Sequence, residues 1–135
     1  MGQQQLLLVI LVTIIVGIAT VVAINTFSSA ADSANLDAVR QDLAQIGSSA
    51  QAYYIKPTML GGGGSSFTGM NFNLISFPSD SITNNGLTAD NTNGEYVLDE
   101  VNDQSVVVIA TPASDAVDNI TATITPDNMT QVTTQ

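Results

Sequence analysis

A run of nineteen residues, Leu6 to Ile24, contains no charged residue, no proline and no side-chain amide. At about 1.5 Å per residue, a helix of this length spans ~28 Å, close to the ~30 Å hydrocarbon thickness of a bilayer. Such a helix is apolar on every side, and a small domain rich in serine, threonine and asparagine could not enclose it. The run therefore predicts a helix that lies in a membrane or in the core of a filament.

The same run predicts a helix without a break. Its one glycine, Gly17, costs roughly 1 kcal/mol relative to alanine, whereas a proline inside a helix costs ~3 kcal/mol or more. The first proline of the chain is Pro57. We therefore expect the helix to continue through Gly17 and the residues that follow it.

The charged residues are nearly all acidic. Twelve carboxylates are opposed only by Arg40 and Lys56, which gives a net charge of -10. Such a surface repels phosphate, so we expect no direct nucleic-acid binding. The chain also lacks cysteine and histidine, which supply most transition-metal sites and most general bases at neutral pH. We therefore expect no enzyme, and no catalytic, cofactor-binding or metal-binding residues.

Helical periodicity returns after a polar joint, Asn25–Asn35, whose side chains compete with the helical backbone for hydrogen bonds. From there, apolar residues recur at spacings of three and four, which predicts a seam packed on the chain's own sheet. The seam consists of Leu36, Val39, Leu43, Ile46, Ala50 and Tyr53. The polar residues between them, including Asp42, are assigned to the solvent-facing sides. The helix should end near Lys56, because Pro57 and a run of glycines follow.

Four glycines, Gly61–Gly64, follow the predicted helix end. A phosphate-binding loop would need a lysine and a serine or threonine after its second glycine, and a strand before it. This segment has neither. We expect a flexible connection, or a loop whose backbone packs closely against a neighbouring subunit.

The second half of the chain alternates apolar and polar residues, as strands do. Four runs are predicted to be strands: Asn71–Phe77, Glu95–Val101, Ser105–Thr111 and Ile120–Thr125. The expected fold is α+β, with a long N-terminal helix packed on a small antiparallel sheet of three to four strands. The predicted divisions are a hydrophobic helix (1–27), its amphipathic continuation (28–56), a glycine-rich connecting loop (57–71) and a surface β domain (72–135).

Two kinds of short polar motif occur in this half. The segment Asp90–Glu95 places side-chain oxygens before a glycine, as calcium loops do. However, Val101 stands where such a loop needs a bidentate carboxylate, so a plain turn is favoured. Asn119 and Asn128 each begin an Asn-X-Thr sequence and are candidate glycosylation sites.

The chain opens with Met1 and Gly2 before three glutamines, Gln3, Gln4 and Gln5, and has no basic residue before Arg40. A membrane anchor normally has a basic flank that fixes its orientation. We therefore expect a short basic leader to have been removed just before Met1. The alternative is an uncut signal anchor that begins with an ordinary initiator methionine.

This start, the apolar helix and its amphipathic continuation into a β domain together resemble the type IV pilins and pseudopilins. The resemblance covers residues 1 to about 56 and the remainder only in outline. In that family the fifth mature residue is usually a glutamate that pairs with the amino terminus of a neighbouring subunit, and Gln5 stands at that position here. The family also tends to have a proline near the far end of the spanning stretch, where this chain has Val21, Val22 and Ala23.

The resemblance implies a structural subunit of an extracellular, type IV pilus-like homopolymer. Met1 would be exposed by a leader peptidase and N-methylated, and Met1, Gln3, Gln4 and Gln5 would take part in filament assembly. Gly17 would mark a close crossing between helices. The implied partners are identical subunits, the inner membrane before assembly, and the pilus assembly machinery. Two alternatives are a minor pseudopilin of a type II-like secretion system and a bitopic, membrane-anchored surface binding module.

Overall fold

A computed structural model describes residues 2–134 of the chain. It has one long helix, α1 (Gly2–Ile55), followed by two short 3-10 turns and six strands. The strands are β1 (Ser81–Thr83), β2 (Thr88–Asn91), β3 (Gly94–Val101), β4 (Val106–Pro112), β5 (Asn119–Ile124) and β6 (Met129–Thr134). The α+β fold, a 54-residue apolar helix packed against an antiparallel sheet, is as predicted. The chain divides into two compact units between Ser33 and Ala34.

Helix α1 runs unbroken through Gly17 and through the polar joint, so the predicted continuity is confirmed. Three threonines of this part donate their hydroxyl protons to the carbonyl oxygen four residues earlier. The bonds run from Thr13 to Val9 (2.7 Å), from Thr20 to Val16 (2.8 Å) and from Thr26 to Val22 (2.9 Å). These hydroxyls therefore need no partner outside the helix.

The sheet has six strands in the order of the chain, and every neighbouring pair is antiparallel. It is larger than the predicted three to four strands. The three predicted runs at 95–101, 105–111 and 120–125 correspond to β3, β4 and β5, whereas β1, β2 and β6 were not predicted. Strands β1 and β2 have only three and four residues, too few for a clear alternation, and β6 is mostly polar.

The predicted strand at 71–77 is wrong, because this segment is a series of turns. Its alternation of apolar residues suggested a strand with Phe72 and Leu74 on one face. Instead Phe72, Ile75 and Phe77 enter the core, while Leu74 remains 49% exposed. The aromatic rings of Phe77 and Tyr96 meet edge to face at 5.1 Å, so the segment closes the core as a loop.

The predicted seam forms the helical side of the core. Val39, Leu43, Ile46, Ala50 and Tyr53 are buried, and Leu36 is partly buried against them. The facing side chains of the sheet include Tyr96, Ala110 and Ile120, which are fully buried. At Gly47, a β-carbon would overlap the sulfur of Met129 in β6. The missing side chain therefore lets β6 approach the helix.

Backbone hydrogen bonds hold the glycine-rich segment to the end of α1. The backbone N–H of Gly63 donates to the carbonyl of Tyr53 (2.8 Å), and that of Gly64 donates to the carbonyl of Lys56 (3.0 Å). Ser65 N–H similarly donates to the Tyr54 carbonyl (2.8 Å). The last carbonyls of a helix lack partners within the helix. These glycines turn the chain back and supply the missing donors.

Candidate functional site: the exposed apolar surface of the helix

The unit before Ala34 carries a large exposed apolar surface. The large apolar side chains from Leu6 to Ile24 are each 53–66% exposed, although they lie on every side of α1. This is the one helix among the described residues that is long and apolar enough to cross a membrane. We call the stretch Leu6–Ile24 the apolar rod.

The apolar rod presents no unsatisfied polar side chain, because the hydroxyls of Thr13 and Thr20 bond within the helix. Its backbone is satisfied by the helix itself, which is the requirement for a segment surrounded by hydrocarbon. The surface is therefore chemically suited to lipid or to other apolar helices. It offers no polar group with which a water-soluble ligand could be oriented.

The predicted assembly residues lie along this helix, but the structure does not bring them into one site. Gln3, Gln4 and Gln5 are exposed in its first turns, and Met1 lies outside the described residues. Gly17 is in open space, since a β-carbon built there meets nothing within 4 Å. It shares one helix face with Thr13 and Thr20, at spacings of four and three. The roles of these residues in assembly stay predictions.

A polar cluster at the sheet was missed from sequence. One carboxylate oxygen of Asp42, Oδ2, accepts hydrogen bonds from Tyr96 Oη (2.6 Å), Asn93 Nδ2 (2.8 Å) and Asn91 Nδ2 (2.9 Å). We call Asp42, Asn91, Asn93 and Tyr96 the Asp42 cluster. It joins α1 to the turn between β2 and β3. Asp42 lies three residues after Val39 and four before Ile46, so its helical spacing was the signal that could have placed it beside the seam.

The surroundings of the Asp42 cluster change two ionisation equilibria. Burial raises the pKa of Asp42, but the hydrogen bonds from Asn93, Tyr96 and Asn91 outweigh it and hold the pKa below its ordinary value. Burial, and then the hydrogen bond to the Asp42 carboxylate, raise the pKa of Tyr96. An anionic Asp42 and a neutral Tyr96 are therefore the forms that the fold stabilises.

Asn35 makes a second polar connection between α1 and the sheet. Its Nδ2 donates to the Asn93 carbonyl (2.8 Å), and its Oδ1 accepts from the Ser114 N–H (3.1 Å). Asn35 and Asp42 are seven residues apart, so they lie on the same helix face. Because both reach the same turn, they fix the position of the sheet along the helix more specifically than apolar packing alone.

The segment Asp90–Glu95 contains the end of β2, a two-residue turn and the start of β3. The side-chain oxygen of Asn91 accepts from the N–H groups of Asn93 (2.9 Å) and Gly94 (3.2 Å). This oxygen therefore serves the turn, and the amide nitrogens of both asparagines point at Asp42. Among residues 2–134 no group of three or more acidic side chains is arranged around a metal position.

The two candidate glycosylation residues lie at opposite ends of β5. Asn119 begins the strand and is half-buried, whereas Asn128 is exposed in the turn that leads to β6. The Asn128 Oδ1 accepts from the Met129 N–H at 2.8 Å. Glycosylation at either residue stays a prediction.

Comparison of the chain with protein-family models, with curated proteins and with solved structures finds no match. A long N-terminal apolar helix whose later part packs on an antiparallel sheet is consistent with a pilin-like fold. The exposed apolar rod marks a protein that is associated with a membrane or assembled with other chains.

Proposed function

We propose that this chain is the structural subunit of an extracellular, type IV pilus-like filament that is assembled through the apolar rod. The observation that carries the proposal is the exposure of Leu6–Ile24 on every side of the helix. An apolar surface of this size is not stable in water. It is stable in a bilayer, or in a bundle of identical rods.

The proposal uses both environments in turn. Before assembly, the apolar rod lies in the inner membrane, where its backbone and its threonine hydroxyls are already satisfied. In the filament it packs against other copies. Moving the rod from lipid into a bundle gains little hydrophobic free energy, because lipid tails are as apolar as leucine. Extraction therefore has to be driven by an assembly ATPase acting through a membrane platform.

The residues at the start of the helix would pair one subunit with the next. Gln5 cannot neutralise the free amino group of a neighbour's Met1, but its amide oxygen can accept a hydrogen bond from it. Gln3 and Gln4 supply further acceptors. A neutral cluster of this kind exerts less long-range attraction than a glutamate, so rod packing would provide most of the drive for assembly. Gly17 would allow a close helix crossing within the bundle.

The first experiment is mechanical shearing of cells that express the full chain. We expect filaments in the sheared fraction, seen by electron microscopy, and an intact mass that includes the apolar rod. A chain that stays entirely with the membranes would instead identify a permanent bitopic anchor. A chain found only in trace amounts within filaments of another protein would identify a minor pseudopilin.

The coding sequence upstream of Met1 provides an independent test. A short basic leader ending in glycine is expected for a subunit processed by a leader peptidase, and not for a permanent anchor. The mass of the mature amino terminus would also show whether Met1 is exposed by cleavage and methylated.

A further inference from the structure

The two edges of the sheet are unpaired within the described residues. The order of strands places β1 at one edge and β6 at the other. All three residues of β1 are exposed, as are Thr130, Val132, Thr133 and Thr134 of β6. An edge strand presents a row of backbone N–H and C=O groups that another strand can use.

Strand β6 is not protected against such pairing, whereas β1 is short, with three residues. Soluble proteins usually interrupt an exposed edge with a charge, a proline or a bulge. Strand β6 has none of these, and its pairing with β5 is regular over all six residues. Val132, its central apolar residue, is 63% exposed. By contrast, the inner strand β3 contains a register shift between Leu98 and Glu100.

The edge strands are uncharged, which allows a second copy of this chain to be the occupant. Each copy has a net charge of -10, so two copies repel wherever their acidic surfaces meet. None of the twelve carboxylates lies on β4, β5 or β6, and none lies on β1. Asp80 directly precedes β1, and Asp127 lies in the turn before β6. Another copy nevertheless meets fewer carboxylates along β1 and β6 than along β2 and β3.

Strand direction determines which edges fit together. Six strands that alternate in direction leave β1 and β6 antiparallel to each other. A second copy placed alongside in the same orientation therefore presents its β1 antiparallel to β6 of the first. Pairing of β6 with β6 would require an inverted copy. Subunits of a helical polymer are not inverted and meet through two different surfaces.

We infer that neighbouring subunits pair β6 of one copy with β1 of the next, so that the sheets join around the filament. The inference rests on the proposed function, since it needs subunits in one orientation. The pairing is limited to the three residues of β1. It therefore adds lateral contact to the packing of the rods and does not replace it.

Register identifies the side chains that would meet. Directly paired residues lie on the same face of a sheet, and one row of such pairs crosses the sheet from Thr83 to Val132. The row is Thr83, Thr88, Val97, Ile109, Thr121 and Val132. Ser81 and Thr134 lie two residues from Thr83 and Val132, so they are on the same face by alternation along each strand. In a joined sheet the outer-face residues of β1 lie beside Thr130, Val132 and Thr134 of the neighbour.

Disulfide cross-linking in intact filaments tests this pairing. The chain has no native cysteine, so each introduced thiol is unique. Ser81→Cys or Thr83→Cys is combined with Thr130→Cys, Val132→Cys or Thr134→Cys, and sheared filaments are oxidised mildly. Five strand spacings of about 4.8 Å separate β1 from β6 within one copy, too far for a disulfide. Each cross-link therefore joins two copies.

We expect at least one of the six combinations to give a ladder of covalent oligomers, severalfold stronger than the control. The control combines Thr83→Cys with Thr111→Cys, an exposed threonine on the same face of β4. Filaments that form normally but give no ladder above this control would overturn the edge pairing and leave the proposed function standing. A covalent dimer from Val132→Cys alone would indicate β6–β6 contact and would also overturn it. If the unsubstituted chain forms no filaments, both proposals fail.

Discussion

Removal of the Asp42 carboxylate should destabilise the domain formed by the sheet and the later part of α1. In Asp42→Ala, the Tyr96 hydroxyl loses its acceptor, as do the side-chain amides of Asn91 and Asn93. A hydrogen bond to a charged group contributes about 1.5–3 kcal/mol. Tyr96 is fully buried and should lose this full amount, whereas the half-buried amides can reach water and should lose less.

The expected loss is about 3–4 kcal/mol in the free energy of unfolding, and the buried tyrosine makes the largest single contribution. For a domain of roughly 100 residues, each kcal/mol lowers Tm by about 4–8 °C, so Tm should fall by at least ~12 °C. The measurement is thermal melting of the full chain in detergent micelles, followed by near-ultraviolet circular dichroism of the tyrosines. Far-ultraviolet signals would be dominated by α1, which detergent stabilises.

The control is Asp37→Ala on the same helix. Asp37 is exposed and pairs with Arg40 at 3.2 Å, an arrangement that contributes at most about 1 kcal/mol. A Tyr96→Phe variant completes a double-mutant cycle with Asp42→Ala and should show coupling of about 1–2 kcal/mol. If Asp42→Ala lowers Tm no more than Asp37→Ala does, the reasoning is refuted.

Four other outcomes are expected. The depressed pKa of Asp42 stabilises the fold above pH 3.8, the ordinary pKa of this group, and the stabilisation is lost as pH falls below that value. The raised pKa of Tyr96 stabilises the fold below pH 10.0, the ordinary pKa of tyrosine, and this stabilisation is lost as pH rises above it. Urea midpoints measured across pH should therefore fall at both extremes, and Asp42→Asn should remove the acid-side dependence due to this residue. Gln5→Ala should impair filament assembly modestly, by about 1–3 kcal/mol for a lost buried hydrogen bond. Gly17→Leu should impair assembly more, because the leucine forces the rods apart. Abolished filaments for Gln5→Ala together with a normal filament yield for Gly17→Leu would contradict this. Gly94→Ala should lower Tm in micelles by an amount that corresponds to about 1–3 kcal/mol, because the new β-carbon would overlap the Thr111 carbonyl. Gly17→Ala is the control and should not lower Tm, because the space around Gly17 is open. A soluble fragment beginning near Ser28 should be a marginally stable monomer that melts well below the filament, because association stabilises only the folded subunit. Equal melting temperatures for the fragment and the filament would favour a passive anchor.

Sequence patterns predicted the parts of this fold whose burial is regular. The apolar rod is unmistakable because it is apolar at every position, and the seam is evident because Val39, Leu43 and Ile46 recur at helical spacing. Strands β3 to β5 were predicted because one face of each is buried. In each case apolar residues recur in the sequence at the repeat of the helix or strand that they form.

The errors occur where tertiary contacts override local pattern. Asp42 was assigned to solvent because charged residues usually are exposed, but its partners come from a turn 49 to 54 residues away. Strand β6 was missed because an edge strand can remain polar and still complete a ladder. The segment 71–77 buries its phenylalanines without forming a strand, so its alternation misled.

We propose that Leu6–Ile24 packs among identical rods outside the cell. An electron cryo-microscopy map of the sheared filaments tests it most directly. We predict a core of parallel α1 helices, continuous through Gly17 to Ala23, with the side chains of the apolar rod buried by neighbouring copies. Filaments whose core is another protein, or a chain that retains this helix in lipid while no filament contains it, would contradict the account.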